Sequence, residues 1–126
     1  MVNRKRARGF TLIELLVVLA IVALLATLAL PRYFQSMDTA KDTVLRDNLQ
    51  TTRATIDKFY TDQGRYPDSL DELVEKKYLR ALPVDPWTDS PSTWVIVAPE
   101  GGNGNVYDLK SGAPGASRNG KPYADF

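Results

Sequence analysis

Residues 10–30 carry no charge except the carboxylate of Glu14, and nearly every other side chain in that run is apolar. No other stretch restricts the chain as strongly. As a helix rising about 1.5 Å per residue, the run reaches about 31 Å, the thickness of a bilayer's hydrocarbon core. A carboxylate inside such a segment costs roughly 2.5–3.5 kcal/mol on insertion scales, so a chain that keeps Glu14 there is expected to supply it with a partner. Arg4, Lys5, Arg6 and Arg8 precede the run. Basic residues flanking a membrane segment hold that end in the cytoplasm and send the rest of the chain across.

Two simpler readings compete. A secretory signal could end at Thr27-Leu28-Ala29, but such signals have an apolar region of about 7–15 residues and carry no internal charge. A plain single-pass anchor accounts for the length of the run and leaves Glu14 unexplained. The division that follows is residues 1–9 as a basic leader, 10–31 as a membrane helix and 32–126 as a small head.

The rest of the composition narrows the chemistry. Taking the four leader cations from the 16 basic residues leaves 12 against 15 acidic ones, a balance of −3 for the remainder. Nucleic acid is therefore not an expected partner, because binding it needs a basic surface. There are no cysteines and no histidines, which argues against zinc sites and His-dependent triads. Asp71, Glu72, Asp85 and Asp89 are the acids left for an enzyme, and they have no recognisable catalytic spacing. Asp71, Glu72 and Glu75 read as a solvated acidic face at a helix start.

Beyond the run, Pro31 lacks an amide hydrogen and predicts a kink. Apolar or small side chains then recur at Phe34, Met37, Val44, Leu45, Leu49, Thr52, Ile56 and Phe59, with Lys41, Arg46, Asp47, Arg53 and Asp57 on other faces, so an amphipathic helix continues the membrane segment. Gly64 ends it, because glycine readily takes the left-handed closing conformation, and Pro67 disfavours helix at Tyr66. Ser69 and Glu72 fit the capping-box spacing of a short second helix. Trp87, in a loop stiffened by Pro83 and Pro86, is expected to plug the core. Residues 93–98 and 106–109 read as strands joined by the Gly/Asn-rich turn at 100–105, and a final loop closes on Tyr123 and Phe126. The fold class is α+β: a long N-terminal helix spine packed on a small antiparallel sheet of about three strands, with an intervening helix and loop region.

Lys5-Arg6-Ala7-Arg8-Gly9 followed by Phe10-Thr11-Leu12-Ile13-Glu14 resembles the leader and cleavage site of type IV prepilins and type II secretion pseudopilins. The residues Gly64-Arg65-Tyr66-Pro67 and Leu82-Pro83-Val84-Asp85-Pro86-Trp87 are similar to the G-type, or major, pseudopilins, although Thr88-Asp89-Ser90-Pro91 departs from that family's usual continuation. The resemblance implies the type IV pilin-like fold, cleavage between Gly9 and Phe10 by a prepilin peptidase, and N-methylation of Phe10. It also implies a structural calcium ion in the final loop, with Asp125 and Asp108 as carboxylate ligands. Pro114 stands where the family has an aspartate. Alternatively, Asp125 bonds to loop amides and Pro114 supplies the rigidity.

The expected function is a structural subunit, not an enzyme: a major pseudopilin stored in the bacterial inner membrane, its N-terminus cytoplasmic and its head periplasmic, and assembled into a periplasmic pseudopilus that drives protein export. Its partners would be further copies in a helical filament, minor pseudopilins, the peptidase, the inner-membrane assembly platform and lipid. The new ammonium of Phe10 would meet Glu14 of a neighbouring subunit in a low-dielectric bundle, where each charge alone is penalised. A type IV pilin or minor pilin is the alternative within the same superfamily, and a membrane-anchored periplasmic enzyme or binding domain the alternative outside it.

Overall fold

A computed structural model describes residues 9–126; the basic leader lies outside the described residues except for Gly9. Helix α1 spans Leu12–Gln63, with Pro31 inside it. Helix α2 spans Leu70–Glu75, and strands β1 (Val95–Val97) and β2 (Asp108–Lys110) pair antiparallel with Ile96 opposite Leu109. A 3-10 turn at Tyr123–Asp125 closes the described chain. Two compact units divide at Asp38.

The first unit is helical and bare. Every leucine, isoleucine and valine from Leu12 to Leu30 is about half exposed or more. Its start is capped locally, with the Glu14 amide donating to Thr11 Oγ1 at 3.2 Å and the Leu15 amide to the Thr11 carbonyl.

The second unit builds a core on α1. Leu45, Leu49, Thr52, Ile56 and Phe59 are buried, spaced alternately four and three apart, so they form one stripe of the helix. Leu70 and Leu73 of α2, Trp94, Val106, Leu109, Ala113 and Tyr123 complete the cluster. Thr52 can sit among them because its hydroxyl donates to the Asn48 carbonyl one turn earlier, at 2.7 Å. The expected stripe is longer than the buried one: Phe34, Met37 and Val44 are exposed.

Gly64 ends α1 with φ +72°, as its position predicts. Gly112 is fixed by space rather than by φ, since a Cβ there would lie 2.1 Å from the Thr93 carbonyl oxygen.

Four expectations need correction. Among the described residues the sheet has two strands and not three; outside it there are only the isolated bridges Asp85 to Ser90 and Ala116 to Pro122, each within one short loop. Ser69 precedes α2 but makes no side-chain cap bond. Glu72, read as part of a solvated face, is buried. Trp94 is the tryptophan that enters the core, with its indole N–H on the Pro83 carbonyl at 2.8 Å. Trp87 is half-buried, packs its ring at a tilt against Tyr123 at 4.9 Å between centroids and donates to Asp42 Oδ1.

Candidate functional site

The first candidate is the start of α1. Thr11-Leu12-Ile13-Glu14 has the spacing of a capping box, in which the glutamate side chain would reach back to the threonine amide. Only half of that device forms. Thr11 caps the Glu14 amide, while the Glu14 carboxylate makes no hydrogen bond or ion pair among the described residues. The carboxylate is therefore held one turn from Phe10 on an apolar, exposed stretch of helix, with no partner among the described residues to neutralise it. Phe10 precedes the helix and is 82% exposed. The helix that follows is long and apolar enough to cross a membrane. Thr11 was missed by the sequence reading, although the T-x-x-E spacing signals it.

The acids that would serve an enzyme are engaged elsewhere or scattered. Glu72 receives Arg65 Nη2 at 2.5 Å and the Asp68 amide at 2.9 Å. The Arg65 guanidinium, followed by the Asp68 amide, holds the Glu72 carboxyl below its ordinary range against the opposing effect of burial. Asp85 is fully buried and accepts the Trp87 amide at 2.9 Å and the Ser111 hydroxyl at 2.5 Å, so it ties the Pro83–Pro86 loop to the segment after β2. Asp71 and Asp89 are exposed. Ser111 in turn accepts the Ala113 amide, which makes Asp85 the centre of a short buried network that spacing alone does not reveal.

The two residues expected to hold calcium lie on neighbouring elements, β2 and the final turn, but they do not form a metal-ligand cluster. Asp108 Oδ1 accepts Arg53 Nε at 2.7 Å and the Leu109 amide at 2.7 Å. Asp125 is exposed, and its carboxylate makes no hydrogen bond or ion pair among the described residues, so the alternative in which it bonds to loop amides does not hold either. One buried polar atom there lacks a partner, Ser117 Oγ. A lone hydroxyl falls well short of the six to eight oxygens that calcium takes. Among the described residues no three of His, Cys, Asp and Glu stand close enough to hold a metal ion. The donor set does not suit the ion.

Sequence comparison adds to this geometry. Residues 4–30 match the Prokaryotic N-terminal methylation motif family. The type II secretion system core protein G of Pseudomonas aeruginosa is 36% identical over 101 residues, covering 68% of this chain and 71% of that protein. The chain belongs to the type II secretion system core protein G family. Its relative in Klebsiella michiganensis is 30% identical and covers 90% of this chain and 88% of that protein. A more partial likeness reaches the type IV major pilin protein PilA of Myxococcus xanthus, 35% identical over 68 residues and 31% of that pilin. No solved structure matches the chain. For a core protein G, the matched motif and the bare carboxylate coincide: residues 4–30 contain both Phe10 and Glu14.

Proposed function

We propose that the chain is a major pseudopilin whose assembly into a secretion pseudopilus is driven by the pairing of Glu14 with the amino terminus of a neighbouring copy. The observation that carries this reading is the Glu14 carboxylate, without a partner among the described residues, on the Leu12–Leu30 stretch of α1 whose leucine, isoleucine and valine side chains are all exposed. Such a helix is stable in lipid or in a bundle of like helices and nowhere else.

The steps follow from charge and geometry. Cleavage between Gly9 and Phe10 removes the leader and creates an ammonium at the positive end of α1; methylation of that nitrogen keeps its charge. In the membrane the ammonium lies near the cytoplasmic interface and Glu14 about 6 Å further along the axis, at roughly 1.5 Å per residue. When a subunit moves into the bundle, its Glu14 meets the ammonium of the copy already in place, and each relieves the penalty of the other in low dielectric. The contact joins two different surfaces, so it does not close on itself and it propagates as a fibre. Pro31, which cannot donate to the Thr27 carbonyl, is the place where α1 yields as it passes from lipid to filament. The head, residues 32–126, faces the periplasm, and the function is structural rather than enzymatic.

The test replaces Glu14 with leucine. Membrane insertion and leader cleavage should stay at wild-type levels, while assembled filament sheared from cells should fall by about tenfold or more, the effect of losing about 1.4 kcal/mol or more of pairing. Filaments from Glu14→Leu at wild-type yield would refute the pairing.

A further inference from the structure

Arg53 lies on α1 within the second unit, four residues after Leu49 and three before Ile56, and is one of the charged positions read as lying off the apolar stripe. Its guanidinium is the meeting point of three segments. Nε donates to Asp108 Oδ1 at 2.7 Å, and Nη2 to the Leu109 carbonyl at 3.0 Å and to the main-chain oxygen of Phe126 at 2.8 Å. These partners are 55, 56 and 73 residues away along the chain. The Arg53 side chain is 36% exposed and that of Asp108 31%. Two further cations gather on the same terminal residue: the Arg46 guanidinium lies 4.8 Å and the Lys121 ammonium 5.5 Å from the centre of the Phe126 ring.

One carboxylate and two main-chain oxygens, from β2 and the final residue, are ligand types that calcium also takes, although three fall well short of its usual six to eight. Here those oxygens receive N–H groups. A guanidinium has five donors in a fixed fork and keeps its charge at any pH a cell reaches, so it can join three oxygens without recruiting further carboxylates. Pro114, in place of an aspartate, agrees with this arrangement, because it removes an acid that a metal would need and a guanidinium does not.

We infer that Arg53 is an internal cation that takes the place of a structural metal ion: it fastens β2 and the last residues of the chain to α1, and it makes folding of the head independent of calcium. The head is then ready for assembly whatever the free calcium level in its compartment. This inference concerns the fold of residues 39–126 and does not depend on Glu14, so its failure would show in melting and leave the filament test untouched.

The experiment is thermal melting of the full chain in detergent, with millimolar calcium and with EDTA, for wild type, Arg53→Lys and Arg53→Met. A ligand bound only by the folded state raises the melting temperature, so wild type should shift by less than about 1 °C between calcium and EDTA. Arg53→Met, which leaves the three oxygens without their donors, should melt about 5–10 °C lower, on the usual scaling for a domain of this size. Arg53→Lys, a point charge without the fork, should fall between the two. If Arg53→Met does not fold, the ranking rests on Arg53→Lys against wild type. A rise of several degrees for wild type in calcium would overturn the inference. Melting of Arg53→Lys and Arg53→Met at the wild-type temperature would overturn it equally.

Discussion

The two units that meet at Asp38 use apolar side chains in opposite ways. Before that point α1 carries leucine, isoleucine and valine on all sides, and none of them is covered. After it the same helix carries one stripe, and each member from Leu45 to Phe59 is closed over by α2, β2 and the final turn. Burying an apolar side chain contributes about 1.5–3 kcal/mol, so the second unit gains its stability within one chain. The first unit makes that gain only against lipid or other helices. One helix thus supplies both a folded domain and an unsatisfied surface, and the assembly contact proposed above lies in the unsatisfied part.

Core substitutions should break this contrast most clearly. Phe59→Ala removes a fully buried ring and should destabilise the head by about 3–5 kcal/mol, a large share of what a small domain has. Leu16→Ala removes an exposed side chain and should leave head stability within about 0.5 kcal/mol of wild type. Thermal melting of the two variants side by side checks both values. Equal losses would mean that the first unit is packed within the single chain after all.

A smaller effect is expected from the pair that links the end of α1 to α2. Glu72→Gln keeps the shape and loses the charge facing Arg65, and it should cost about 1.5–3 kcal/mol, the range for a hydrogen bond to a charged group. The pH dependence has a definite sign. The folded state holds the Glu72 carboxyl below its ordinary range, so its contribution is fully present above that range and is lost as the pH falls through the lowered value. Wild type should therefore lose stability more steeply than Glu72→Gln on acidification from about pH 6 to pH 3, around the ordinary glutamate value. Parallel melting curves for the two proteins would show that Glu72 contributes no such linkage.

The smallest effect is predicted at Ser69. A serine cap usually contributes about 1 kcal/mol, but here the side chain makes no cap bond, so Ser69→Ala should change stability by less than about 0.5 kcal/mol. A full-sized loss, read by chemical denaturation, would restore the capping box at the start of α2.

That box shows how spacing can be right while the bonding differs. Ser69 and Glu72 stand at the expected positions, and α2 begins where they place it, yet Glu72 turns to Arg65 and the Asp68 amide. An ion pair with an additional amide bond outcompetes one serine amide for the same carboxylate. The tryptophans repeat the lesson. Both are large and apolar enough for the core, but Trp94 lies beside β1 with a carbonyl for its N–H, whereas Trp87 finds Asp42 at the edge. The third strand failed for lack of ladder partners: the segments at 85–90 and 116–122 carry proline, glycine and serine, and each makes a single bridge.

The long apolar helix, its lone carboxylate and the amphipathic continuation up to Gly64 were legible from the residues alone. These are properties of period and composition along one helix, and neighbouring residues suffice to express them. It took the folded chain to send Glu72 to Arg65, to anchor Ser111 on Asp85, and to bring Arg53 to Asp108 and the end of the chain. Those choices depend on which groups, from seven to 73 residues apart, the turns bring within about 3 Å, and a hydrogen bond forms only at that range and alignment.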